Sequence, residues 1–159
     1  MRLLKLRHAA VAVVAGSLLA VSSGTAGAAT AAESLALRKA VMQSIGAHFG
    51  ATIAAIKSGN KKQIQAAARQ AMAINHLSKI IPVVTPPGSG QAAGKSRALP
   101  KIWQDWAGYQ KAAATLTAES AKLVAALKTG DAKAAMSQFG RTGKVGCGGC
   151  HGTYRAKKK

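Results

Sequence analysis

The chain has 159 residues, with 23 Lys and Arg against 4 Asp and Glu, and a formal charge of +19. That length fits one domain, and the excess of cations favours acidic or anionic partners. Only four acids and no Ser-His-Asp pattern argue against hydrolytic or acid–base turnover, so the chain is read as not an enzyme.

The N-terminus is a leader. Arg2, Lys5 and Arg7 precede an uncharged apolar run from Ala9 to Val21, and Ala26-Gly27-Ala28 fits an A-x-A cleavage site. Residues 1–28 read as a secretory signal peptide and residues 29–159 as the mature domain. The apolar run is short for a span, and no stable membrane insertion is expected. Export puts the mature chain in an oxidising compartment, in bacteria the periplasm. Without the three leader cations, 20 Lys and Arg face 4 acids, a net of +16. Such a field attracts an acidic partner and weakens with salt. Nucleic-acid binding is the rival reading of the charge. Export and the scattered placement of the cations argue against it.

Four helical segments follow, and no strand. In the first, Ala32 to Lys57, Met42, Ile45, Phe49, Ile53 and Ile56 recur at spacings of three and four. Gly59 suits the position after the helix, and Asn60 can cap the next. The second, Lys61 to Ile81, carries Ile64, Ala67, Ala71, Ile74 and Ile81 on one stripe, with Leu77 beside it. Pro82 stops it. The stretch from Pro82 to Pro100 holds all four prolines and reads as a long crossover. The third segment, Lys101 to Lys128, has a seam of Ile102, Trp106, Tyr109, Ala113, Leu116, Ser120, Leu123 and Leu127. Gly130 and Asp131 repeat the stop and start. The fourth, Ala132 towards Arg155, continues the spacing through Met136, Phe139, Gly143, Gly146 and Cys150. The fold class expected is all-α, an antiparallel four-helix bundle with one long Pro/Gly-rich crossover between helices two and three. Six glycines between Gly140 and Gly152 each cost a helix roughly 1 kcal/mol relative to Ala, so this helix is expected to be weak alone. Lys157, Lys158 and Lys159 are expected to fray.

Inside that weak segment lies Cys147-Gly148-Gly149-Cys150-His151, the attachment pattern C-x-x-C-H of a c-type haem. Two thiols add to the haem vinyl groups. On a helix, positions i, i+3 and i+4 share a face, so both sulfurs and the imidazole project together. A neutral imidazole is a good ligand for haem iron. A thioredoxin-like pair would need a βαβ pattern, and a zinc site would need further ligands elsewhere. A disulfide between Cys147 and Cys150 would close a very small loop. Export, where haem is attached in bacteria, supports the haem reading.

The helical pattern with C-x-x-C-H at its C-terminal end resembles cytochrome c-prime, the class II c-type cytochromes. Leu37 to Met42 with Gly46 to Gly50 resembles the family's first helix, and Ile102 to Trp106 the opening of its third. Gly140 to Arg155 resembles its haem-binding end. The resemblance implies one haem c, held through Cys147 and Cys150, with His151 as the iron ligand. It implies Arg155 beside the proximal face and Arg38 near the propionates, with Lys39 counted among the haem-binding residues. Met42 takes the position facing the distal side of the iron. Where the family often has an acid before the third helix, this chain has Lys101. The implied function is binding of small gases, nitric oxide and carbon monoxide, by five-coordinate high-spin iron, with electron transfer to an acidic redox partner. The alternative is a six-coordinate, low-spin carrier ligated by His151 and Met42. A cationic exported binding protein without haem is the remote rival. A homodimer is implied, using first- and second-helix faces.

Overall fold

A computed structural model describes residues 28–157; the leader and its cleavage site, apart from Ala28, and the last two lysines lie outside the described residues. Seven α-helices make the four rods of a bundle. α1 (Ala31–Lys57) is the first rod; α2 (Lys61–Ala66) and α3 (Ala68–Ile80) are the second. α4 (Lys101–Gln104) and α5 (Trp106–Thr129) are the third. The fourth is α6 (Ala132–Arg141), a π-helical segment (Thr142–Gly148) and α7 (Gly149–Tyr154). Among the described residues there is no strand. No helix there is long and apolar enough to cross a membrane.

The short turns are built from local chemistry. Gly59 and Gly130 both take left-handed backbone, with φ of 66° and 73°, where a side chain would be strained. The Asn60 side chain accepts from the Gln63 N–H at 3.1 Å, and Asp131 accepts from Ala134 N–H at 2.8 Å. At the start of α1, Thr30 and Glu33 form a reciprocal capping box.

The apolar stripes meet in two clusters. One joins Ile56, Ile64, Ala71, Leu123, Leu127 and Ala135. The other gathers Val41, Ile45, Ile74, Ile81, Ile102, Tyr109, Leu116 and Tyr154, with Met42, Cys147 and Cys150 packed on its edge. The stripes of the second and third segments are buried as their spacing predicts, save that Leu77 and Trp106 are half-buried.

Three rods depart from continuous helices. Between α2 and α3 the ladder tightens at Ala67, whose N–H is shared by Gln63 O and Ile64 O. Between α4 and α5 it breaks at Asp105 (φ −126°, ψ 59°), whose carboxylate caps α5 through Gly108 N–H at 3.1 Å. In the fourth rod, the seven π residues widen the turns through Cys147 and Gly148, the first two residues of the C-x-x-C-H motif. Met136, expected on the core stripe, is exposed at 39%, and Ala135 is buried in its place. The helix ends at Tyr154. Arg155 is already extended, and Ala98 bridges to it in antiparallel fashion.

The π segment is held from α5. Glu119, buried there, accepts from the Gln138 side-chain amide at 2.8 Å and from Arg141 Nε at 3.1 Å, and pairs with Lys122 at 3.0 Å. The Thr142 hydroxyl donates to Gln138 O at 2.8 Å. Gly146 passes so close to α5 that a Cβ there would meet Leu116 Cδ1 at 2.9 Å. These contacts, not helix propensity, set the course of the glycine-rich stretch.

Candidate functional site: a cavity around the C-x-x-C-H motif

A cavity of about 860 Å³ opens between α1, the crossover, α5 and α7. That is within the range of small-molecule and cofactor sites. α1 contributes Leu35, Arg38, Lys39 and Met42; α5 contributes Tyr109. Cys150, His151 and Tyr154 come from α7, Arg155 follows them, and the crossover adds Lys95 and Arg97. Six of the seven residues expected at the site therefore line one cavity. Cys147 does not line the cavity. It lies in the π segment and packs half-buried against the core cluster around Tyr109.

Burial keeps the side chains of the motif uncharged. Burial pushes the His151 pKa down to about 4, and the nearby charges of Arg155 and Arg97 add to the effect. The imidazole is therefore neutral at physiological pH, the form that ligates metals. Burial raises the Cys147 thiol, and raises Cys150 to about 11, with Arg155 opposing both. Both are thiols rather than thiolates near neutral pH.

Arg38 is buried, at 7% exposure, and its guanidinium is engaged by the crossover. Nη1 donates to Ser89 Oγ at 2.8 Å and Nη2 to Ser89 O. Burial lowers its pKa. Both described ion pairs are made by Glu119, so Arg38 has no carboxylate partner among the described residues. An uncompensated buried cation is costly. Beside it, Trp103 Nε1 donates to Pro86 O at 3.1 Å, and Thr85 and Tyr109 hydroxyls lie 3.1 Å apart. Together these tie the crossover to α1, α4 and α5.

The occupant implied by this donor set carries a metal for the imidazole, a group that reacts with thiols, and negative charge for the guanidinium. Haem with its two propionates answers all three, and the residues present fit it. A family model described as Cytochrome C' matches residues 33–155. The chain belongs to the cytochrome c' family. Members of this family bind haem c. A cytochrome c-556 from Agrobacterium tumefaciens (strain II Chrys) is 37% identical over 124 residues, covering 76% of this chain and 95% of that protein. A cytochrome c' from Rubrivivax gelatinosus is 31% identical over 125 residues, covering 79% and 95%. Among solved structures, a nitric oxide complex of a mutant cytochrome c prime from Alcaligenes xylosoxidans superposes with a TM-score of 0.68. It is 25% identical and covers 82% of this chain and all of that one. The four-helix architecture of the family is the architecture seen here.

Sequence spacing does not point to Lys95 and Arg97. They reach the wall through the crossover, whose path depends on contacts distant in the chain. Tyr109 and Tyr154 are also site residues. The ring of Tyr154 meets Tyr109 edge-on at 5.4 Å, and its hydroxyl donates to Asp105 at 2.6 Å. The signal for Tyr154 is local, since it stands three residues after His151 on the same helix face.

Proposed function

We propose that this chain is an exported, periplasmic haem c protein that binds small gases at iron and transfers electrons. The observation that carries the reading is a single cavity lined by a thiol, a neutral imidazole and a buried guanidinium without a counter-ion. Cys147 and Cys150 would hold the haem as thioethers and His151 would ligate the iron. The haem, when bound, supplies the redox centre and the gas-binding metal. Arg38 compensates propionate charge while keeping the crossover closed. Leu35 and Met42 supply the apolar part of the side that α1 forms, beside Arg38 and Lys39, and the imidazole is half-buried. Arg155 sets polarity and access beside His151. The resting iron is five-coordinate and high-spin, with the α1 face left open to nitric oxide or carbon monoxide. The nitric oxide complex of the Alcaligenes xylosoxidans protein supports gas binding at this kind of site.

The second reading makes Met42 the sixth ligand. One observation favours it: a methionine lines the same cavity as His151, and a thioether can ligate haem iron. The absorption spectrum separates the two. The five-coordinate reading expects a high-spin ferrous spectrum that shifts on adding carbon monoxide. A low-spin spectrum with a sulfur-to-iron band that vanishes in Met42→Leu overturns it in favour of the second. A pyridine haemochrome assay expects one covalent haem, and none would overturn both.

The remaining partners follow from charge and kinship. The cationic surface suits an acidic redox protein, with association that weakens as salt rises. A homodimer is the expected assembly. A solved cytochrome c' relative of 26% identity has a ligand-controlled dimer dissociation. Analytical ultracentrifugation with and without carbon monoxide tests whether this chain shares either property.

A further inference from the structure

The cavity wall carries five cations, Arg38, Lys39, Lys95, Arg97 and Arg155, and no carboxylate. Of these, Arg38 is committed to Ser89 on the crossover. Two of its donors position that segment, while its charge still compensates a propionate as above. Arg97 is different. Both described ion pairs lie at Glu119, in another part of the molecule, so Arg97 has no counter-ion among the described residues. Its backbone, by contrast, is fastened. Ala156 N–H donates to Arg97 O at 2.8 Å, and Leu99 N–H donates to Tyr154 O at 3.0 Å. One residue before it, Ser96 Oγ accepts from Ala98 N–H at 3.1 Å. These bonds sew the crossover to the chain just after His151, with Ala98 opposite Arg155, and bring Arg97 and Arg155 into the lining of one cavity, close enough for the charge of Arg97 to act on Arg155.

Like charges in neighbouring positions destabilise a pairing unless an anion lies between them. A fold that uses two main-chain bonds to bring them together leaves an anion site at the cavity mouth. A guanidinium on fixed backbone grips a carboxylate through two parallel N–H bonds. We propose that Arg97, assisted by Lys95, is a carboxylate anchor that takes a haem propionate. The assignment rests on the haem reading above. It gives the crossover a second function beside closing the cavity. The segment brings its own cations to the cofactor, and the bridge to Arg155 registers them against the haem-binding helix.

The test uses purified holoprotein without any redox partner. Pyridine haemochrome first counts covalent haem in each variant; a chain that holds none overturns the haem reading and this assignment with it. Midpoint potential and the resonance Raman propionate bending band are then compared. A nearby cation favours the reduced, less positive haem. Arg97→Gln should therefore lower the potential and move the propionate band. Lys95→Gln should do the same to a smaller degree, and Arg97→Lys should restore most of the potential. Lys133→Gln, at the start of α6, should move neither. Wild-type values in Arg97→Gln, or an equal fall in Lys133→Gln, overturn the proposal.

Discussion

The two ends of the bundle are built on different terms. At one end Ile64, Ala71, Leu123, Leu127 and Ala135 have no accessible surface, and with Ile56 of the first rod they bring aliphatic side chains from all four rods together. At the other, Met42, Cys147 and Cys150 are only partly covered, aromatic rings stand at the core's edge, and a cavity remains. The first end is complete from its own side chains. The second has helices that break at Asp105 and widen through Thr142–Gly148, and a buried guanidinium without its counter-ion. A protein interior of ordinary density leaves few voids larger than a water molecule. The difference therefore locates what the chain cannot supply from its sequence alone, and places the missing stability where the chemistry is.

The strongest way to break this contrast is to deny the chain its haem. Cys147→Ser combined with Cys150→Ser should abolish covalent attachment. Hydrogen exchange should then show lost protection across residues 142–154 while amides around Leu123 stay protected. Haem-free protein with the helix content and melting temperature of the holoprotein would sink the idea that haem stabilises the glycine-rich end. The converse substitution is Leu123→Ala at the filled end. It should cost about 2–5 kcal/mol in denaturant unfolding of the holoprotein, as large-to-small changes in tight cores do. The haem spectrum should not move, because Leu123 belongs to the cluster remote from the cavity. A spectral change on Leu123→Ala would show that the two ends are not separable.

Gly146→Ala probes the joint between the ends. A Cβ would stand 2.9 Å from Leu116 Cδ1 and 3.3 Å from Leu116 Cα, and the second of these is backbone that cannot swing away. The expected cost is about 1–3 kcal/mol, that of overpacking. It should come with a changed circular dichroism signal in the haem band, because Cys147 follows directly. A stabilised protein would mean that helix propensity outweighs the close approach.

What could be read in advance divides along the same line. The pairs Gly59–Asn60 and Gly130–Asp131 are legible because a left-handed glycine and a capping side chain act within three residues. The T-x-x-E pattern of Thr30 and Glu33 has the same local character, although apolar spacing alone starts the helix one residue late, at Ala32 instead of Ala31. The seam from Ile102 to Leu127 is legible because one period runs through it. The fourth rod is harder. Its π turns depend on Glu119, more than twenty residues away, which holds Gln138 and Arg141. The phase of the stripe changes there, and Met136 gives way to Ala135. Asp105 looks like another helical position until Tyr154 is placed against it. In the site, Cys150 and His151 announce themselves by motif, and Met42 by resemblance. Arg97 has no such mark, because only the bridge between Ala98 and Arg155 puts it on the wall.

The smallest expected effect is the most specific test of how the cavity end is tied together. Tyr154 donates to Asp105 at 2.6 Å, and Asp105 also caps α5, so one contact joins α7 to the break in the third rod. The bond to Tyr154, followed by that to Gly108 N–H, holds the Asp105 carboxyl below its usual pKa. The same bond, with burial, raises the Tyr154 phenol from 10.0 to about 12. The two shifts act at opposite ends of the pH scale. Asp105 is the stronger acid when folded, so its contribution is present above the ordinary carboxylate pKa and is lost as pH falls through the lowered value. Tyr154 is the weaker acid when folded. Its contribution is complete below pH 10 and drains away as pH rises towards about 12. Tyr154→Phe removes the bond without changing ring packing against Tyr109. Unfolding midpoints measured against pH should then fall near neutrality, and the loss between pH 10 and 12 should become shallower. It should not disappear, because burial also raises the Tyr109 phenol and leaves a second group titrating in the same direction. An alkaline arm of unchanged steepness in Tyr154→Phe would place the linkage at Tyr109 alone and remove Asp105–Tyr154 as the tie between the two rods.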